Sequence, residues 1–155
     1  MGAAPYRLHE LGWLGFERLC QVLLDDAGVR VTTWERILGS LARTTAMDGI
    51  RGLGLPELPG PTLIVIKRVR PERPLERLAR ITSAGEAGAW QPHVSLLVMT
   101  DAALSPDDVA RLEAKWRDDV DGAPVALVDA NRLGAASVMT SRRRAAATRP
   151  PRLRW

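Results

Sequence analysis

Asp48 and Lys67 are the two residues of this 155-residue chain whose types and spacing point most directly to chemistry. The acid opens Asp48-Gly49-Ile50-Arg51, and the lysine closes the β-branched run from Thr62 to Lys67. An acid at the start of one strand and a lysine at the end of the next can meet at one edge of a sheet, where Mg²⁺ and a phosphate would be held together. The reaction such a pair serves is attack of a metal-activated water on a phosphodiester. Two residues before the lysine, on the same face of the expected strand, stands Val65, whose side chain offers no ligand atom.

The elements that must position this pair can be read from periodicity. Residues 11 to 26 place Phe16, Leu19, Cys20, Leu23 and Leu24 at helical spacing, and Gly28 supplies a C-terminal stop. The alternating, β-branched stretch 29–34 predicts a strand. Residues 35–47 are ambiguous, a short helix or a loop, because Ile37, Leu38, Leu41 and Ala42 have a helical period that Gly39 weakens. A glycine-rich strand over 48–55, a proline-rich turn over 56–61 and a strand over 62–68 follow. Pro71 and Pro74 introduce a helix reaching about Ser83. The apolar runs 94–99 and 125–128 read as buried strands, separated by a helix that Ser105 caps and Gly122 ends. A short helix over 131–137 comes last, and the arginine-rich stretch 140–155 is expected to be a disordered tail. The order α β β β α β α β α, with continuous apolar strands, predicts a three-layer α/β/α sandwich around a mixed sheet, occupying residues 1–139.

With 46% hydrophobic and 26% charged residues, the chain can build one core. No apolar run approaches the roughly 20 residues that span a bilayer, and the start lacks a signal-peptide pattern, so a cytoplasmic location without membrane contact is expected. Cys20 is the lone cysteine, which excludes an intramolecular disulfide and predicts a buried hydrophobic role. His9 and His93 have no partner at metal-ligand spacing. The net charge of +4 is uneven: residues 141–155 hold six arginines and no acid, leaving 16 basic against 18 acidic residues elsewhere. The basic run Arg142-Arg143-Arg144 is either a solvated tail or a source of non-specific phosphate attraction. Trp13, Trp34, Trp90 and Trp116 are expected to fill the core or its edges. No serine, cysteine or histidine arrangement supports nucleophilic catalysis, and no phosphate-binding glycine loop is present.

Gly15-Phe16-Glu17-Arg18-Leu19 with Leu23-Leu24, then Asp48-Gly49, then Ile64-Val65-Ile66-Lys67, resembles the Mrr-like branch of the restriction-endonuclease fold, the PD-(D/E)XK nucleases. The downstream runs Leu97 to Asp101 and Val125 to Asp129, each followed by a helix, are similar to the later half of that fold, so the resemblance covers roughly residues 11 to 137. It implies a DNA endonuclease with Glu17 as a helix-borne acid, Asp48 as the principal Mg²⁺ ligand, the backbone carbonyl of Ile66 as a second ligand, and Lys67 as the cation that positions the water. It also implies DNA as partner, and a homodimer or a partner subunit.

Two departures stand against full activity. Val65 replaces the second acid, and Arg51 occupies the place where the family commonly carries another acid; an arginine there would repel a metal or contact a phosphate. Glu57, in the turn before the Lys67 strand, is a weaker candidate for a migrated acid. The competing reading is a non-catalytic DNA-binding or protein-interaction module on the same fold. In the plainest alternative, Asp48 is an Asp-Gly turn residue, Lys67 a strand-end lysine reaching water, and Glu17 a solvated helix acid.

Overall fold

A computed structural model describes residues 8–29, 34–45, 50, 58–70, 72–83 and 95–148. After a 3₁₀ turn at Leu8–Leu11, helix α1 spans Gly12–Asp26. It ends where the sequence predicts, with Gly28 at φ +83°, a conformation that a Cβ disfavours.

The next two strands lie in a segment where local pattern gave no strand. β1 (Glu35–Ile37) and β2 (Ser40–Thr44) form a tight antiparallel hairpin inside the segment read as helix or loop. Leu38 (φ 50°) and Gly39 (φ 82°) make the turn, and two consecutive positive φ values are what a two-residue hairpin of the favoured twist needs. Of the strand expected over 29–34, Trp34 lies just before β1 and Val29 is buried; residues 30–33 lie outside the described residues. From the expected strand over 48–55 only Ile50 is described, in an antiparallel bridge to Leu58 with N–O distances of 2.8 and 3.0 Å.

β3 (Thr62–Lys67), β4 (Ser95–Thr100) and β5 (Val125–Val128) agree with the apolar runs. Together the strands form one mixed sheet in the order β1-β2-β3-β4-β5, antiparallel up to β3 and parallel from there on. The parallel steps require crossovers, and α2 (Pro74–Ala79) and α3 (Pro106–Asp119) lie in them. Ser105 caps α3 by accepting the Asp108 N–H at 3.1 Å, as expected.

Each face of the sheet carries its own core. Phe16, Cys20, Leu23 and Leu24 of α1 pack with Ala130 and Leu133 of α4 over Ile64, Ile66, Leu97 and Met99. On the other face Leu78, Leu112 and Trp116 cover Val65, Leu96, Val98 and Leu127. Alternation along β3 and β4 explains the division, since successive side chains point to opposite faces. The fold is thus an α/β protein with helices on both sides of a five-stranded mixed sheet.

Helix α4 runs Ala130–Thr148, well beyond the expected end at Ser137 and into the stretch read as a disordered tail. Alanine and arginine rank among the better helix formers, so once the helix has started the composition carries it on. No helix among the described residues is long and apolar enough to cross a membrane.

Candidate functional site

Lys67 ends the central strand at the edge where β3 and β4 run out together, opposite Thr100. It is buried, and its Nζ donates to the Ser40 hydroxyl at 3.3 Å. The antiparallel register creates that contact: Leu41 faces Ile66, so one step further Ser40 comes alongside Lys67. Ala42 and Val65 belong to the α2/α3 core, and alternation carries Ser40 and Lys67 to the same side.

Glu17 takes a different position. It is buried on α1, and both its oxygens accept from Arg36 Nη2 on β1, at 2.9 and 3.1 Å. Arg36 pairs with Leu41, whose side chain belongs to the α1/α4 core, so this ion pair lies on the opposite face of the sheet from Lys67. The guanidinium also sits 4.9 Å from the Trp13 ring centre, a cation–π arrangement. Of the tryptophans expected in the core or at its edges, Trp13 is a half-exposed stacking partner at the edge, whereas Trp116 is fully buried and donates its indole N–H to the Leu78 carbonyl at 3.0 Å. Trp13, Glu17 and Arg36 border an open groove of about 470 Å³.

Val65 is fully buried against the α2/α3 core and offers no donor atom to a metal. Ile66 lies between Leu41 and Met99, and the ladder bonding of a strand flanked on both sides competes with metal ligation by its carbonyl. Asp48, Arg51 and Glu57 lie outside the described residues, so the approach of Asp48 to Lys67 does too. Arg142, Arg143 and Arg144 fall on the extension of α4. Among the described residues, no three His, Cys, Asp or Glu side chains are grouped to hold a metal ion. The described residues around β3 thus supply fewer oxygen donors than Mg²⁺ needs for near-octahedral order.

Two carboxylates at the same sheet edge escaped the sequence reading as site residues. Asp101, just past β4, accepts the Val69 N–H at 3.0 Å and Arg68 Nε at 3.2 Å, tying the exits of β3 and β4 together. Asp129, just past β5, accepts the Leu104 N–H at 3.0 Å and the Arg132 N–H at 3.1 Å, so it caps α4 and anchors the loop after β4. The signal for both is an acid directly after an apolar strand, and both hold backbone. Burial pushes the Cys20 thiol well above its usual range, and the Asp101 and Glu17 carboxylates push the same way. Such a thiol stays protonated and inert.

A second feature missed from sequence is basic. From Lys67 to Arg80 the chain carries six basic residues and two acids, and Arg70, Arg73, Arg77 and Arg80 line an open groove of about 540 Å³ beside α2. The near-neutral total outside the tail conceals this concentration.

Comparison of the chain with protein-family models, with curated proteins and with solved structures finds no match. What can be said of its class from fold and site is a mixed-sheet α/β domain with a buried lysine at the end of its central strand.

Proposed function

We propose that this chain is an Mrr-like, restriction-endonuclease-type domain that engages DNA and has lost the metal-dependent hydrolysis of that fold. The observation that carries this reading is β3 itself: Lys67 is kept at its end, while Val65, at the position of the second acid, is wholly inside the α2/α3 core. Restoring an acid there would bury a carboxylate among apolar side chains, at high desolvation cost. The two hydrogen bonds from Arg36 Nη2 likewise commit Glu17 to holding α1 against the β1–β2 hairpin. DNA engagement rests on the resemblance together with the arginines of α4 and the sheet edge.

An active Mg²⁺-dependent endonuclease built on Asp48 and Lys67 is the second reading, favoured by the buried placement of Lys67. Incubating the protein with supercoiled plasmid and Mg²⁺ or Mn²⁺ separates the two. The expected outcome is no nicking, with a gel shift of the plasmid that weakens as salt rises. Metal-dependent nicking abolished by both Asp48→Ala and Lys67→Ala would establish the enzyme instead, and absence of both nicking and shift would remove DNA as the partner.

A further inference from the structure

Resting on that reading of DNA as partner, we infer that the arginine groove beside α2 is the surface that takes the phosphate backbone of a duplex. Arg77 in α2 and Arg80 at its C-cap are three residues apart and so lie on one side of the helix, while Arg73, the residue just before it, reaches the same Glu76 as Arg80. Arg70 precedes them on the chain leaving β3, and all four line the same groove. The side chains stand in water, with Arg73 82% and Arg80 65% exposed, so they reach a ligand without rearranging the core.

Glu76 answers part of this charge: it accepts from Arg80 at 3.3 Å and lies 3.9 Å from Arg73. Exposed pairs of this kind are weak, and a phosphate competes well for both guanidinium groups. With Glu72 and Glu76 counted, the four arginines still leave the groove at +2.

The groove is better suited to nucleic acid than to a membrane. All six of its lining residues are charged and none is aromatic, and the apolar side of α2 is already occupied, since Leu78 is fully buried in the core with Trp116. A helix that lies in a bilayer surface needs that side free. Every groove cation is arginine, whose fork matches a phosphate in two hydrogen bonds. The groove also begins three residues past Lys67, roughly 10 Å of chain, so a duplex held there passes the Lys67 end of β3.

The test is fluorescence anisotropy of a labelled 20-base-pair duplex, about two turns, across a salt series, comparing the full chain with R73Q/R77Q/R80Q. Loss of three phosphate contacts should lower the slope of log affinity against log salt by about 2.7, so that between about 50 and 200 mM salt the parent loses roughly 40-fold more affinity than the variant. R73K/R77K/R80K keeps the charge and should retain most of that slope with weaker binding. E72Q/E76Q, which needs no arginine removed, should bind the duplex several-fold more tightly than the parent. An unchanged slope in the glutamine variant, or no tightening in E72Q/E76Q, overturns the groove while DNA binding elsewhere on the chain stands. If the parent holds no duplex at any salt, the DNA reading falls and this inference with it. Tighter association with phosphatidylserine vesicles than with duplex would overturn it in favour of a membrane.

Discussion

The two sides of the sheet use arginine in opposite ways. On the α1 side Arg36 meets a buried carboxylate with two hydrogen bonds and lies against an indole, so its charge is answered where it stands. On the α2 side four arginines share a groove with two glutamates, and although Glu76 meets Arg73 and Arg80 in exposed contacts, the groove keeps a charge of +2. A matched, partly buried pair stabilises one geometry, whereas unmatched exposed charge adds little to stability and much to association. The α1 side therefore reads as scaffold, and the α2 side carries the surface proposed for phosphate contact.

The sharpest way to break this contrast is to remove one arginine from each side. Arg36→Ala leaves the buried Glu17 carboxylate without its donors and should lower unfolding free energy by about 1–3 kcal/mol in urea denaturation, with little change in DNA affinity. Arg77→Ala should stay within about 0.5 kcal/mol of the parent and weaken duplex binding. Equal destabilisation by the two would erase the distinction.

A smaller effect concerns the hairpin that carries Arg36. Leu38 holds φ 50° at an exposed tip, a conformation that asparagine tolerates better than leucine. Leu38→Asn should raise the thermal midpoint, a gain of up to about 1 kcal/mol. A fall in the midpoint would mean that the leucine side chain holds the turn by packing.

The smallest effect is a pH-dependent one on the α2 side. Lys115 and the Thr82 hydroxyl donate to Asp119, and these hydrogen bonds hold its carboxyl below the usual aspartate range. A carboxyl that ionises more readily in the folded state stabilises the fold above its unfolded value, and the contribution fades as pH falls through the lowered folded value. Asp119→Asn should therefore cost a few tenths of a kcal/mol at neutral pH, consistent with its exposure, and the difference should shrink below about pH 3.9. A difference that stays constant down to pH 2 would assign the effect to shape and not to charge.

How far the sequence could be read depends on the range of the interaction involved. β3, β4 and β5 were legible because each is a continuous apolar run flanked by polar or turn residues, and α3 because Ser105 caps it locally. The β1–β2 hairpin was not, since Ile37, Leu38 and Leu41 mimic a helical period while the turn depends on two positive φ values. Among the described residues β1, β2 and β3 stand between α1 and α2; β3 is the strand expected over 62–68, β1 and β2 come from the segment read as helix or loop, and most of the stretches 29–34 and 48–55 lies outside the described residues. The end of α4 was misplaced because low complexity suggested disorder where helix propensity prevails. The position of Lys67 at the end of β3 and the burial of Cys20 could be anticipated; the capture of Glu17 could not, because its partner lies 19 residues away on a strand that the pattern hid.

Local pattern alone was enough to determine an α/β chain with buried central strands, a first helix stopped at Gly28, and a lysine at the end of the middle strand, because periodicity, capping and propensity act over a few residues. Only the tertiary structure decided which charges meet. Strand pairing brought Ser40 to Lys67, the position of the hairpin brought Arg36 to Glu17, and the crossover after β3 gathered four arginines around one groove. Electrostatics acts through space, so a net charge near zero along the folded part of the chain was compatible with a strongly basic surface at one place on it.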